Sequence, residues 1–313
     1  MHTANIARDG SFTLAERSAP EARDGHSVVT VEAAGIGPTD LMRAKGFFGP
    51  VEAAYVPGGE GIGRLASGER VYFGHSVPPF GAIAEQTLVA DSEIWPVPVG
   101  LDHDQVIALA ISGTGALLPL EEARIRPGEE VLILGATGPV GQIALQLARI
   151  LGAGRVVAAS RNAARLEALQ ADGLADTVAL IGRGDDEAAL RAAATRGFDV
   201  VLDVIYGPPA EAAMRATAPG ARMMSIGVQA GPTVTLSLRD LVFRSHVGVG
   251  TGQRPASERR AAYDRLMDMA LKRGLRADTV RFPFSSAAKA WAAQAGCPYG
   301  KIVIDVGNRT MPA

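Results

Sequence analysis

Continuous apolar runs dominate the middle of the chain. EVLILG (130–135), RVVAAS (155–160), TVALIG (177–182), DVVLDVI (199–205), RMMSIG (222–227) and HVGVGT (246–251) show no polar–apolar alternation. Such runs are the pattern of parallel strands covered on both faces. Helical stretches at 139–152, 162–172, 185–195 and 208–218 separate most of them. Strand and helix in alternation predict a doubly wound parallel sheet. Before it, SVVTVEAAG (27–35), GERVYFG (68–74) and AIAEQTLVA (82–90) predict short strands bounded by Gly and Pro. WPVPVG (95–100) is excluded from a sheet centre, because its prolines donate no ladder hydrogen bond. Residues 102–123 read mainly as helix, with Asp102 or Asp104 as the cap. After the α/β region, 256–273 and 285–296 predict helices and KIVIDVG (301–307) a strand of a mixed β domain.

The fold class is therefore α/β: a Rossmann doubly wound sheet plus a second, mixed and mainly β domain built from both termini. The divisions fall at 1–113, 114–252 and 253–313. A cleft between two such domains is the default ligand site.

Composition narrows the function classes. The 313 residues are 47% hydrophobic and 20% charged, with a net charge of -2, which suits a globular enzyme. No basic stripe or aromatic platform supports nucleic-acid binding. No run reaches the ~18 apolar residues of a membrane span, and no signal core opens the chain. A cytoplasmic protein acting on a small-molecule substrate is expected. The lone Cys297 leaves no intramolecular disulfide and no thiolate metal cluster.

The strongest motif is GATGPVG (135–141). Counted back from Gly141, Gly138 stands three residues earlier and Ala136 five, giving A-x-G-x-x-G with Gly135 in front. A strand leads in and a helix leads out, the context that a dinucleotide fingerprint requires. Ala136, Thr137 and Gly138 would approach a diphosphate; Pro139 and Val140 open the helix whose free N–H groups would receive it. Val140, Ala144, Leu147 and Leu151 form one apolar stripe. NAD-binding folds place Asp or Glu roughly twenty residues further on to hold the ribose. Here Ser160, Arg161 and Arg165 stand there instead. A hydroxyl and two guanidinium groups suit a 2′-phosphate, so the cofactor expected is NADPH. Gly227 and Val228 follow the fifth strand and Gly250 and Thr251 the sixth, and all four are expected to line the cofactor cleft, because ligands of such sheets bind at the carboxyl ends of the strands.

Taken together, VVTVEAAGIGPTDLMRAKG (28–46), YVPGGEGIGRL (55–65), GERVYFG, GAIAEQTLVA, the glycine loop and GKIVIDV resemble, nearly end to end, the medium-chain dehydrogenase/reductase superfamily in its zinc-free quinone oxidoreductase branch. The resemblance implies a GroES-like catalytic domain, NADPH held by the Rossmann domain, and a homodimer. It places Thr114 close to the nicotinamide. Zinc alcohol dehydrogenases of the superfamily carry Cys where Gly37 stands and His where Gly59 stands, and their four-cysteine lobe is missing; no metal is expected. Phe48 replaces a tyrosine common in the quinone reductases. Without a Lewis acid, the hydride acceptor would be a quinone or an α,β-unsaturated carbonyl. Thr39, Asp40 and Tyr55 are the candidate catalytic residues, with Asp40 also readable as a structural carboxylate bound to backbone or to Arg43. Glu60 reads as one half of an internal salt bridge. The alternatives are a biosynthetic imine or enoyl-thioester reductase of the same fold, and a non-catalytic NADPH-binding protein.

Overall fold

The computed structural model describes residues 1–307; the end of the expected third segment, 308–313, lies outside the described residues. The chain forms two compact units, one from residues 1–111 with the chain from 267 onward, the other from 112–266.

The first unit opens with an antiparallel pair, β1 (His2–Ile6) and β2 (Phe12–Glu16). β3 (His26–Ile36), α1 (Pro38–Ala44), β4 (Glu60–Arg64), β5 (Arg70–Phe73), β6 (Gln86–Ala90), β7 (Ile94–Pro96) and α2 (His103–Leu109) follow. The second unit then runs α3 (Ile111–Ala123), β8 (Glu130–Leu134), α4 (Pro139–Ile150), β9 (Arg155–Ser160), α5 (Ala163–Ala171), β10 (Thr177–Leu180), α6 (Asp186–Ala193), β11 (Phe198–Asp203), α7 (Pro208–Arg215), β12 (Thr217–Ser225), α8 (Leu238–Leu241) and β13 (Ser245–Gly248). α9 (Ala256–Arg273) contains the boundary, and β14 (Thr279–Pro283), α10 (Ala287–Ala295) and β15 (Lys301–Asp305) return to the first unit.

In the first unit β14-β15-β3-β4-β5-β7 form a sheet in that order, with β6 also paired to β3. β15 lies antiparallel to β3 and places Ile304 opposite Ala34. Val29, Ile36, Ile302 and Ile304 close the core on one face, against α10 and the β1 end of the chain. Pro96 ends β7 at the sheet edge, where a missing N–H breaks no ladder bond. β1, β2 and β14 escape the sequence pattern. β2 and β14 have mostly exposed or half-exposed side chains, so no apolar run marks them.

In the second unit the strands lie in the order β10-β9-β8-β11-β12-β13, all parallel. This is the doubly wound order, which reverses between β8 and β11. Val131, Leu132, Ile133 and Leu134 of β8 have no solvent exposure, as a central strand covered on both faces requires.

Two predicted elements differ in detail. Residues 102–123 are not one helix. α2, capped by the Asp102 side chain accepting from the Asp104 N–H at 2.9 Å, ends where Ala110 leaves helical geometry (ψ -82°), and α3 starts afresh. The helix expected over 208–218 stops at Arg215, because β12 begins at Thr217 and pairs with Phe198 of β11.

Candidate functional site

The glycine loop joins β8 to α4. The N–H groups of Gly135 and Ala136 both reach the carbonyl of Ala159, at 2.9 and 3.0 Å, which ties the turn to β9. A Cβ at Gly141 would sit 2.5 Å from Ala136 Cα and from the Gly135 carbonyl oxygen, so only glycine lets α4 pack this close to the turn. Gly138 is the N-cap of α4 and offers no side-chain cap; Pro139 is its first residue and Val140 follows, half-buried. The first N–H groups of a helix without a cap are donors awaiting an acceptor. Ala144 and Leu147 of the stripe are fully buried beneath them. Thr137 and Ser160, both buried, share a hydrogen bond of 2.8 Å, and Gln142 Nε2 donates to the Thr137 carbonyl at 3.0 Å. The loop and the tip of β9 are thus one rigid piece, and its donor set fits the diphosphate of a dinucleotide.

Beyond Ser160, Arg161 is exposed and Arg165 half-buried. Asn162 caps α5 by accepting from the Arg165 N–H at 3.1 Å. The Arg161 stem passes beneath Gly182, whose φ is 75° and whose added Cβ would lie 3.0 Å from Arg161 Cγ. Leu180 pairs with Ser160, so Arg183, just past Gly182, extends from the neighbouring strand tip. The sequence reading passed over Arg183 because its place depends on the β9–β10 register.

Thr114 lies buried in α3. Gly227 and Val228 follow β12 and line a cavity of about 400 Å³ with Tyr206, Ser225, His246 and Val249 among its other walls. Gly250 and Thr251 come next in the chain, the first preceding and the second opening a short 3-10 turn, and are not among the lining residues. Behind the cavity Asp203, without solvent exposure, accepts from Ser225 Oγ at 2.7 Å, and Ser225 Oγ lies 2.9 Å from His246 Nε2. Sequence reasoning missed this triplet. Nothing in the local pattern sets Asp203 apart from the rest of its apolar strand.

In the first unit Thr39 is exposed and Asp40 half-exposed on α1. Asp40 Oδ2 accepts from the Gly37 N–H at 2.9 Å, so it binds backbone. Burial raises the Asp40 pKa, against the Gly37 amide and the Lys301 ammonium, which favour the carboxylate. The Tyr55 hydroxyl is buried and has no hydrogen-bond partner among the described residues; burial, with the Asp40 charge, pushes its pKa up to about 12. Glu60, 2% exposed, is paired with the Lys301 ammonium and accepts from the Tyr72 hydroxyl at 2.8 Å.

The residues at this place do not fit a zinc ion. Gly37 and Gly59 have no ligating atom, and a Cβ built on Gly37 would stand 3.7 Å from the Lys301 ammonium nitrogen, a charge that repels a metal cation. Among the described residues no three His, Cys, Asp or Glu side chains are grouped to hold a metal. Among the described residues no single helix is long and apolar enough to cross a membrane.

Residues 139–270 match the family described as zinc-binding dehydrogenase. The chain is similar to the spectinabilin polyketide synthase system protein NorB of Streptomyces orinoci, 34% identical over 222 residues, which are 68% of this chain and 10% of that protein. It spans about a tenth of the length of such synthases. It is also similar to the quinone oxidoreductase of Rattus norvegicus, 33% identical over 145 residues covering 42% of this chain and 44% of that one. Among solved structures, the quinone oxidoreductase of Thermus thermophilus, also determined in complex with NADPH, superposes with a TM-score of 0.79 at 28% identity, over 98% of this chain and 100% of that one. With the strand order, the glycine loop and the first unit's sheet agreeing, the chain belongs to the medium-chain dehydrogenase/reductase superfamily, in its quinone oxidoreductase-like branch.

Proposed function

We propose that the chain is a zinc-independent oxidoreductase that uses NADPH to reduce a quinone or an α,β-unsaturated carbonyl. The observation that carries this reading is the uncapped N-terminus of α4 beside the Ser160, Arg161 and Arg165 tip of β9. The first binds a diphosphate, and the second, with no acidic side chain among those three residues, suits a 2′-phosphate. Arg183 joins that cationic set from the tip of β10. Bound NADPH supplies a hydride. The protein's part is to orient the acceptor and to stabilise the oxyanion that forms on it. Thr39, Asp40 and Tyr55 are the polar groups of the first unit proposed for that task, and Thr114, Gly227, Val228, Gly250 and Thr251 are proposed cofactor contacts.

The relationship to polyketide synthase proteins favours one second reading, an enoyl thioester as hydride acceptor. Following NADPH oxidation against quinones, enones and enoyl thioesters decides between them, and tight NADPH binding with no turnover on any acceptor supports a non-catalytic role. Arg161→Ala should raise the KM for NADPH ~10–100-fold, the loss of one or two charge-assisted bonds, and leave that for NADH unchanged. Equal effects on both cofactors refute the 2′-phosphate assignment.

A homodimer is proposed through β13, the outer strand of the second unit's sheet. Leu238, Val242 and Phe243 beside it are 78%, 55% and 68% exposed, an apolar patch next to an unpaired edge. Light scattering on the purified protein tests it.

A further inference from the structure

One buried carboxylate organises the wall of the second unit's cavity. Asp203 Oδ1 accepts from the backbone N–H groups of Ile205 and Tyr206, at 3.0 and 2.8 Å. The turn so formed holds Tyr206 at a φ of 58°, a left-handed conformation that bulky side chains rarely adopt. Asp203 Oδ2 accepts from Ser225 Oγ, which also contacts His246 Nε2. The Tyr206 and His246 rings meet with centroids 5.9 Å apart. A carboxylate serving only the turn needs only its two backbone bonds. Here its other oxygen leads through a hydroxyl to an imidazole that lines a cavity beside Gly227 and Val228, at the carboxyl ends of the parallel strands.

The three heavy-atom positions accommodate two proton arrangements. In one, Asp203 is a carboxylate, Ser225 donates to it, and His246 donates Nε2–H to Ser225, leaving an Nδ1 lone pair. In the other, Asp203 carries a proton and donates to Ser225, Ser225 donates to His246 Nε2, and His246 carries its own proton on Nδ1. The imidazole is neutral in both.

We propose that Asp203, Ser225 and His246 form a proton wire that delivers one proton from Asp203, through His246 Nδ1, to the substrate reduced in this cavity. The inference rests on the reductase reading above. Hydride from NADPH adds to the β-carbon of the enone, and the C=C electron pair moves toward the carbonyl oxygen to give an enolate. The enolate takes the Nδ1 proton of His246. Nε2 then takes the Ser225 proton, and Ser225 takes the proton of Asp203. The product is the saturated carbonyl, and Asp203 is left as a carboxylate, to be reloaded from water by the reverse shifts. Within this relay His246 is the group that meets the substrate; Ser225 and Asp203 are positioning residues that act through it. Burial raises the Asp203 pKa, which favours its protonated form, and lowers that of His246 against the pull of the Asp203 charge, which favours the neutral ring. Around the ring stand the Asp203 carboxylate on β11, the Tyr206 ring on the turn and Ser225 on β12. Arg244, just before β13, is engaged by Thr217.

The deciding experiment is a pH titration of the full chain labelled with 15N-histidine, with His246 assigned among the five histidines through His246→Gln. As pH rises through the titration of Asp203, the His246 signals should change from the Nδ1–H to the Nε2–H tautomer without passing through the cation. Ser225→Ala should abolish the change and Ser225→Thr should preserve it. A His246 that keeps one tautomer throughout the folded range, or a Ser225→Ala protein that still switches, overturns the wire. With an acceptor in hand, Ser225→Ala should lower kcat ~10²–10⁴-fold, the usual weight of general acid catalysis, at unchanged KM. It should also erase the wild-type fall of kcat with rising pH and its solvent isotope effect, and Ser225→Thr should restore them. Should no acceptor be turned over, the reductase reading fails, and the tautomer titration still judges the wire.

Discussion

Two buried carboxylates, one in each unit, are satisfied in opposite ways. Glu60 in the first unit faces an ammonium and a phenol, both enclosed. Asp203 in the second faces two backbone amides and a hydroxyl that continues to a half-buried imidazole. A fixed ammonium beside a buried carboxylate offsets the cost of burial only through the charge pair, and that requirement acts as a lock. A buried carboxylate held by neutral donors has no such lock. Its burial favours the protonated form while its hydrogen bonds favour the ionised one, so it can exchange a proton with little rearrangement. The first arrangement suits a structural strut and the second a proton store.

The comparison can be broken most forcefully at Lys301. Lys301→Met leaves the buried Glu60 carboxyl without its cation. It should cost ~3–5 kcal/mol of stability, as for other broken buried pairs, measured by urea denaturation. Adding Glu60→Gln should recover most of the loss, and a single variant as stable as the wild type would show that Glu60 is not held by the pair. The matching change in the other unit is milder. In Asp203→Asn the amide oxygen still accepts from the turn and the amide nitrogen can donate to Ser225, so about 1 kcal/mol is expected, the net worth of one neutral hydrogen bond.

The smallest effect sharpens the contrast through pH. The Asp203 pKa is raised above 3.8 by burial, against the bonds from Tyr206, Ile205 and Ser225. Between that value and its raised pKa the native state holds more protons than the unfolded chain, so stability falls as pH rises through this window. Asp40 adds to the same slope, its pKa being raised by burial as well. Asp203→Asn should therefore flatten the fall of Tm with rising pH without removing it. An unchanged slope would mean that Asp203 stays ionised in the native state, and with it the proton store is lost.

Most of the second unit was legible in the sequence because each of its signals is local. An apolar run marks a strand buried on both faces, as in β8. Gly141 announces a close approach that lies within six residues of Ala136 and Gly135. The arginines at 161 and 165 sit just past the strand that follows. The first unit was less legible where its strands are exposed, as in β2 and β14, and where a helix divides at a single residue, Ala110. The candidate residues of the first unit were legible only through family resemblance, since nothing local distinguishes Asp40 as a backbone-binding carboxylate or Tyr55 as a buried hydroxyl with no partner among the described residues.

The sequence by itself determined the parallel sheet, the position of the glycine turn and the cationic tip beside it, because hydrophobic periodicity, glycine and charge act over a few residues. Tertiary structure alone decided what the buried charges do. Glu60 meets Lys301 across 241 residues, and Asp203, Ser225 and His246, separated by 22 and 21 residues, meet only because β11, β12 and β13 lie side by side in one register. A hydrogen bond depends on distances of a few tenths of an ångström between side chains far apart in the chain, and only the packed sheets fix those distances.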